Sequence, residues 1–315
     1  MITIVRKELA DYVAGIRGLI IPLLVFAISG MALHAAYYGI GGAAAQTGYI
    51  FMKLFTTSEQ VTGNLSGILN FHTIIGLFFI PIVGISLGFD TINSERSNGT
   101  MSRLLSQPVY RDEVINAKLL SGILILATMM ATTMLIIGGA GLRIIGIPPM
   151  PEELTRLVIY FALAVIYGVF WLGLAVLSSV LFRRPSTSLL VTLGFWLFFS
   201  IFYIFLIAPA VSNAIAPTAS QTTEALARNA ELETTLLRVS PSYLFLEASS
   251  TLLLPLVRTL GIITTGQMAY MAINPLSLPQ SLLIASPHFV AIFGLAAVVL
   301  AVSYILFMKQ EIRST

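Results

Sequence analysis

A chain of 315 residues, of which 57% are hydrophobic and only 10% are charged, lies outside the composition of soluble domains and is an integral membrane protein. Cysteine is absent, which excludes disulfides and thiolate metal sites. The net charge of +3 is small, and we attribute it to membrane topology rather than to nucleic-acid binding, so no nucleic-acid partner is expected.

The first seventeen residues have the pattern of an amphipathic helix. One side is apolar and the other is charged: the apolar side carries Ile2, Val5, Leu9, Tyr12, Val13 and Ile16, and the charged side carries Arg6, Lys7, Glu8 and Asp11. This pattern predicts an interfacial helix over 1–17 that lies along the membrane lipid surface. The alternative interpretation is that these residues begin a long first span.

Six apolar stretches are each long enough, at about 1.5 Å per residue, to cross roughly 30 Å of hydrocarbon. They are predicted at 18–38, 71–89, 119–142, 157–182, 188–211 and 287–308. Pro81 lies inside the second stretch and predicts a kink, because proline removes a backbone N–H from the helix. The sequence therefore predicts an all-α integral membrane protein with six transmembrane helices.

The polar loop (91–117) connects the second and third spans and must lie in water beside the membrane. Gly99 is expected to end a helix in the left-handed conformation, which costs glycine little. Thr100 can then cap a short helix over 101–106, with three apolar side chains on one face: Met101, Leu104 and Leu105.

Pro108 ends this short helix. Asp112 and Glu113 occupy the favourable first turn of the next helix, which re-enters the membrane at Lys118. The predicted product is a cross-piece between two spans, with apolar side chains available to dock a soluble subunit.

The segment 212–286, between the fifth and sixth spans, differs from the other connections. It contains a predicted amphipathic helix over 224–238, capped by Thr222 or Thr223, and a second helix that begins with Ser240 as its cap. The apolar patch 252–263 is too short to span the membrane and is interpreted as re-entrant or interfacial, with a seventh span as the less favoured alternative.

Most of the 17 Lys and Arg residues fall on one side of the predicted spans. That side holds Arg6, Lys7, Arg17, Arg96, Arg103, Arg111, Lys118, Arg183, Arg184, Lys309 and Arg313. Because basic residues concentrate in cytoplasmic loops, both termini are predicted to be cytoplasmic, in a multi-pass protein of the cell membrane. The chain then divides into an interfacial helix (1–17), five spans including the polar loop (18–211), an extracytoplasmic helical segment (212–286), and the sixth span with its tail (287–315).

A family resemblance is carried by Glu95 through Thr100, by Leu104-Leu105-Ser106-Gln107-Pro108, and by Arg111, Glu113 and Lys118. This pattern resembles the first cytoplasmic loop of ABC transporter permeases of the type-two, exporter-like family. In that family the cross-piece is the coupling helix, which rests in a groove on a separate ATP-hydrolysing subunit. The resemblance implies this role for Glu95, Arg96, Gly99, Thr100, Met101, Leu104, Leu105, Pro108, Arg111 and Glu113.

The same resemblance implies a permease subunit of an exporter, which moves a substrate with ATP hydrolysed by its partner. Six spans are half of the usual set in the family, which implies a homodimer or a pair with a related permease, bound to two ATPase copies. The chain has no Gly-Lys pair, so a phosphate-binding loop with its lysine cannot be built. ATP and Mg are expected on the partner subunit, with no cofactor, metal or catalytic residue on this chain.

Two other function classes stay open. One is a non-transporting membrane anchor or assembly factor whose outer segment binds an extracytoplasmic partner. The other is an ion-driven secondary carrier, which is less favoured because it needs intramembrane acids near the midplane, whereas the chain offers Pro81 without a paired acid.

The isolated ionisable residues are given no catalytic role. Three histidines near the outer ends of spans are expected to bond to headgroups or water rather than to a metal: His34, His72 and His288. Glu247 and Arg258 are expected to be exposed charges on helix faces. Asp90, at the inner end of the second span, is expected either to remain solvated or to pair with one of three basic residues: Arg96, Arg111 or Lys118.

Overall fold

The computed structural model describes residues 1–40, 49, 51–56, 71–97, 99, 110–146, 148–218, 222–255 and 275–310. Every regular element within these ranges is a helix, and none of them is a strand. The all-α fold class is therefore confirmed for this part of the chain.

In chain order the α-helices are α1 (Ile2–Ala14), α2 (Ile16–Ile40), α3 (Lys53–Thr56), α4 (Phe71–Ile74), α5 (Ile80–Gly88), α6 (Asn93–Ser97), α7 (Arg111–Ile145), α8 (Pro151–Leu181), α9 (Pro185–Leu197), α10 (Ala208–Ile215), α11 (Thr223–Leu237), α12 (Pro241–Leu253) and α13 (Leu278–Lys309). Two π-helical stretches join some of them: π1 (Ile75–Phe79) leads from α4 into α5, and π2 (Phe198–Ile207) leads from α9 into α10.

Five helical stretches in the described residues are long and apolar enough to cross a membrane: His72–Ser97, Arg111–Arg143, Pro151–Leu181, Pro185–Ile215 and Leu278–Lys309. The pair formed by α1 and the first part of α2 is a sixth candidate, but it is bent by 69°. Such a bend agrees with an interfacial helix followed by a span. The total of six spans remains a prediction.

The central helix of the bundle is α8, and α5, α7, α12 and α13 pack around it. Its aromatic side chains Tyr160, Tyr167 and Trp171 are at most 2% exposed. Glycine allows α5 to approach α8 closely, because a Cβ atom on Gly88 would lie only 2.7 Å from the Cβ atom of Ala175. The close packing of α5 on α8 therefore depends on small residues at their interface.

A kink is predicted at Pro81, and the π-helical stretch π1 ends two residues before it, at Phe79. Pro81 has no N–H, so the carbonyl groups of Leu77 and Gly76, four and five residues earlier, lose their helical donor. The indole Nε1–H of Trp196 donates to the Leu77 carbonyl at 2.7 Å, and the Tyr167 hydroxyl donates to the Gly76 carbonyl at 3.0 Å. Side chains of α8 and α9 thus satisfy the backbone groups that the proline leaves without a donor.

The helix α12 lies inside the bundle rather than beside it. The hydroxyl of Ser242, at its start, lies 2.9 Å from the hydroxyl of Tyr167 in the middle of α8 and forms a hydrogen bond with it. The carbonyl of Leu252, near its end, accepts one from Arg156, which lies about 16 Å closer to the start of α8 at 1.5 Å per residue. The helix expected in the extracytoplasmic segment therefore begins at mid-depth between the spans, a position that the sequence did not predict.

Candidate functional site

Charged side chains gather at two ends of the bundle. The Lys118 end contains the last turn of α5, the helix α6, the start of α7 and the end of α13. The Arg156 end contains the starts of α8 and α13. The Lys118 end is the candidate functional site, because the polar loop begins and finishes there.

A buried lysine holds three elements together at the Lys118 end. The Nζ atom of Lys118 lies 2.7 Å from Oε1 of Glu8 on α1 and 2.8 Å from Oε1 of Glu95 on α6. The side chain of Lys118 is only 3% exposed. Removing one partner from such a buried group of charges is costly, so the cluster fixes α1 and α6 against α7.

Asp90 forms an ion pair, but its partner is Arg17 rather than one of the three predicted basic residues. The guanidinium of Arg17 donates to both carboxylate oxygens of Asp90, with 3.0 Å between Nη1 and Oδ1. The same guanidinium lies over the ring of Phe89, 4.9 Å from its centroid. The start of α2 is therefore attached to the end of the second span. The predicted partners were wrong because the bend between α1 and α2 brings Arg17 to this position.

The start of α6 is attached to α8 by a single hydroxyl. Ser179 Oγ accepts the backbone N–H groups of Ile92 and Asn93 at 2.9 and 3.1 Å. Ile92, Asn93 and Ser179 are all completely buried. Two backbone donors at the beginning of a helix, which have no partner within it, are satisfied in this way.

Gln310, which directly follows α13, contacts both flanks of the polar loop. The first flank is residues 91–97 and the second flank is residues 110–117. Arg96, which precedes Gly99, donates to the side-chain oxygen of Gln310, and Arg111, which begins α7, donates to its backbone carbonyl at 2.7 Å. The Gln310 amide in turn donates to the carbonyl of Val180, at the end of α8, at 2.7 Å. One residue therefore joins the polar loop, α8 and α13.

Half of the predicted coupling residues lie within the described part of the chain: Glu95, Arg96, Gly99, Arg111 and Glu113. Gly99 has φ of 68°, which confirms its left-handed conformation. Glu113 lies 3.4 Å from the N-terminal amine, in an exposed pair. The remaining predicted residues, and the short helix over 101–106, lie outside the described residues: Thr100, Met101, Leu104, Leu105 and Pro108.

A cavity of about 520 Å³ separates α1 and the start of α2 from α6 and α7. Its lining includes Lys7, Arg17 and Lys118 together with the carboxylates that face them. The cations of this cavity are therefore already matched by acids within the chain.

The Arg156 end has its own buried charge. Arg156 is completely buried, and it donates to the carbonyl groups of Leu252 and Leu276 at 2.9 and 2.7 Å and to Ser281 Oγ at 3.0 Å. Its Nη2 atom also lies 2.9 Å from Oε1 of Glu152. This guanidinium fastens the end of α12 and the start of α13 to the start of α8.

A second charged group, the Arg238–Glu247–His288 cluster, lies within the Arg156 half, with Glu247 and His288 buried and Arg238 partly exposed. Arg238 forms two hydrogen bonds with the Glu247 carboxylate, at 3.0 and 2.9 Å, and His288 Nε2 lies 2.6 Å from Glu247 Oε2. Burial raises the pKa of Glu247, but the hydrogen bonds from His288 and Arg238 outweigh it and hold the pKa below its ordinary value.

Two expectations about these ionisable residues were wrong. Glu247 is 6% exposed rather than an exposed charge, because α12 is packed between spans. His288 and His72 are 3% and 6% exposed, so their side chains do not face headgroups. His34 is exposed, and Arg258 lies outside the described residues. Among the described residues, no three His, Asp or Glu side chains are grouped so that they could hold a metal ion.

The sequence did not identify Glu8, Arg17, Ser179 or Gln310 as parts of the site. Arg17 had a detectable signal, since a lone arginine beside an apolar span needs a counter-charge. Ser179 and Gln310 had none, because each acts on backbone groups that are distant in the sequence.

Comparison with known proteins gives one family and two relatives. A family model described as ABC-2 family transporter protein matches residues 2–312. A protein of Pseudomonas aeruginosa named probable ABC transporter permease protein NosY is 29% identical over 204 residues, which cover 64% of this chain and 67% of that protein. A protein of Stutzerimonas stutzeri with the same name is 26% identical over 212 residues, which cover 65% of this chain and 68% of that protein.

Proposed function

The chain belongs to the ABC-2 family of transporter proteins, and from that premise we propose that it is the permease subunit of an exporter driven through its polar loop. A separate ATPase subunit would bind the loop, hydrolyse ATP with its Mg ion, and displace the loop relative to the spans. The permease would pass this displacement on to the path of the substrate.

The observation that carries this proposal is that both flanks of the polar loop are fixed by buried or partly buried polar contacts. In the first flank of the loop, Glu95 is held by Lys118, and Arg96 is held by Gln310. In the second flank, Arg111 is held by Gln310 as well. A loop fixed at both flanks can transmit a push into the bundle, whereas a loop on loose flanks would absorb it.

The burial of Glu95 separates two kinds of role within the predicted coupling residues. Glu95 is 9% exposed and faces Lys118, so it positions the loop rather than touching a partner. The residues proposed to contact the ATPase are the apolar ones of the predicted short helix: Met101, Leu104 and Leu105. Burial of each would contribute roughly 1.5–3 kcal/mol before ordering costs.

The remaining parts of the proposal follow from the family and from charge. Two copies of the chain, or one copy with a related permease, would bind two ATPase subunits and form the substrate path between them. The Lys118 end would face the cytoplasm, because the basic residues concentrate there, and the protein would lie in the cell membrane. The NosY name of the relatives offers no substrate by itself, and none is proposed.

Co-purification with a co-expressed ABC ATPase subunit tests the proposal. Leu104→Asp should abolish recovery of the ATPase with the detergent-solubilised permease. Leu226→Asp, the same change on exposed α11 at the opposite end, should leave recovery unchanged. Equal recovery of the ATPase with both variants would contradict the proposed docking role of Leu104. Capture of an extracytoplasmic protein without any ATPase would instead support the anchor function.

A further inference from the structure

Gln310 contacts both flanks of the polar loop at once. Arg96 reaches its side-chain oxygen and Arg111 reaches its backbone oxygen. Since the two arginines enclose the loop, a displacement of either flank changes a hydrogen bond to the same residue. Movement of the loop as a whole therefore changes the contacts of Gln310.

The end of α13 next to Gln310 is held firmly in the bundle. Phe307 is completely buried, in a cluster with Ile92 of the polar loop, Ile115 at the start of α7 and Val180 at the end of α8. The Arg111 guanidinium lies 5.9 Å from the centroid of the Phe307 ring. The loop flanks and the end of α13 thus share one small core, and they have to move together.

From this end, α13 runs to the other half of the molecule as one helix of 32 residues, or about 48 Å at 1.5 Å per residue. It follows α8 closely: Ser303 Oγ lies 3.2 Å from the carbonyl oxygen of Gly173. Further along, His288 of α13 meets Glu247 of α12, and Ser281 meets Arg156. A single helix therefore connects the polar loop to the buried charges around α12.

We propose that Gln310 is a positioning residue that couples the polar loop to α13, so that α13 transmits movement of the loop to α12 and the Arg238–Glu247–His288 cluster. This inference rests on the proposed function, because it needs an ATPase to move the loop. It adds the route: the displacement enters at the C-terminal end of the last helix and reaches the other half of the bundle through that helix.

A purely structural role for Gln310 predicts something different. Its amide donates to the carbonyl of Val180, one of the last carbonyls of α8, which have no partner within their own helix. If this cap were its whole purpose, any change that removes the amide donor would be equally harmful. If it couples the loop to α13, the oxygen that accepts from Arg96 is what matters.

Two substitutions separate these roles. Gln310→Ala removes both the amide donor and the side-chain oxygen. Gln310→Glu removes the donor to Val180 but keeps an oxygen for Arg96, and it adds a charge that strengthens this contact. Coupling through Arg96 predicts that Gln310→Glu still transmits movement of the loop and that Gln310→Ala does not. A role as a helix cap alone predicts that both variants lose this transmission to the same extent.

The absence of cysteine in the chain allows spin labels at chosen positions without background. Labels at Ala227→Cys on α11 and Thr155→Cys at the start of α8, both exposed, report on the hairpin of α11 and α12 relative to the central helix. The distance between the labels is measured in the permease–ATPase complex, before and after addition of Mg-ATP with orthovanadate. ATPase recovery and thermal stability are recorded for each variant.

We expect the distance between the labels to change on nucleotide addition in the otherwise unaltered complex and in the Gln310→Glu variant. In the Gln310→Ala variant the ATPase should still bind, but the distance change should be lost. Arg96→Ala should lose it too, and the double variant should show no additional loss. If Gln310→Ala does not fold, Arg96→Ala gives the same test from the other side of the contact.

The outcomes that overturn the inference are distinct from failure of the proposed function. A full distance change in Gln310→Ala or Arg96→Ala, with the ATPase bound, overturns the route through Gln310 alone. An equal loss of the distance change in Gln310→Ala and Gln310→Glu would mean that Gln310 acts only as a cap at the end of α8. If no ATPase is recovered with the otherwise unaltered permease, the proposed function is overturned, and the inference with it.

Discussion

The indole of Trp196 donates a hydrogen bond to the carbonyl of Leu77, 2.7 Å away, across the interface between α9 and π1. That carbonyl lies four residues before Pro81, which cannot donate to it. The contact therefore compensates for the proline, and it joins the apolar helical stretch His72–Ser97 to the stretch Pro185–Ile215.

Replacing Trp196 by Phe should destabilise the protein by about 1–3 kcal/mol, because the Leu77 carbonyl would be left buried without a donor. Pro81→Ala restores an N–H that can serve this carbonyl, so Trp196→Phe should cost clearly less in the Pro81→Ala background. Denaturant titration in detergent measures both free energies of unfolding. Equal costs in the two backgrounds would mean that the indole acts only through packing.

Replacing Lys118 by Met should lower the free energy of unfolding by roughly 3 kcal/mol, because Glu8 and Glu95 would lose their shared counter-charge inside the protein. The matched control is Lys7→Met on α1. Lys7 is 55% exposed at its side chain and lies 3.8 Å from Asp11, so this change should cost at most about 0.5 kcal/mol. The same titration compares them, and similar losses would contradict the structural role of the buried cluster.

Replacing Gly88 by Ala should destabilise the protein by about 1–3 kcal/mol, since the new methyl group would lie 2.7 Å from the Cβ atom of Ala175 and 2.8 Å from the Leu172 carbonyl oxygen. Gly194→Ala is the control, because no atom lies within 4 Å of its added Cβ. That change should be neutral or stabilise α9 by up to about 1 kcal/mol. Thermal unfolding in detergent measures the change in stability caused by each substitution. A stabilising effect of Gly88→Ala would contradict the close packing of α5 against α8.

The Arg238–Glu247–His288 cluster should make stability depend on pH in the acidic range. Because the pKa of Glu247 is held below its ordinary 4.5, the carboxylate stabilises the fold at and above that pH, and the stabilisation is lost as the pH falls through the lowered value. Glu247→Gln should therefore have a lower melting temperature than the unaltered protein at pH 7. The difference should shrink below about pH 4. A difference that increases on acidification would have the wrong sign for this assignment.

Local signals in the sequence predicted local structure well. Gly99 adopts the left-handed conformation expected for a helix end. Thr222 and Ser240 cap α11 and α12 through their side chains, as their positions before these helices indicated. Asp112 and Glu113 lie in the first turn of α7. Each of these predictions depends on residues within one or two turns, and for that reason periodicity and side-chain chemistry were sufficient.

The contacts that make the candidate site depend on packing, and no local pattern in the sequence predicts them. Lys118 meets Glu8 across 110 positions of the chain, and Arg96 meets Gln310 across 214. The burial of Glu247 depends on α12 lying between spans, although its composition is that of a half-exposed helix. A hydropathy pattern assigns such a charge to the surface, because it takes no account of a partner brought close by another helix.

Arg156 has a consequence for how the chain enters the membrane during synthesis. Its hydrogen bond to Ser281 joins residues 125 positions apart, and its other acceptors include Leu252 and Leu276. When the ribosome has completed α8, none of these distant acceptors has yet been made. Until α13 has been made, this guanidinium therefore has Glu152 and water or lipid headgroups as its partners, and its remaining buried acceptors arrive only with the last helix.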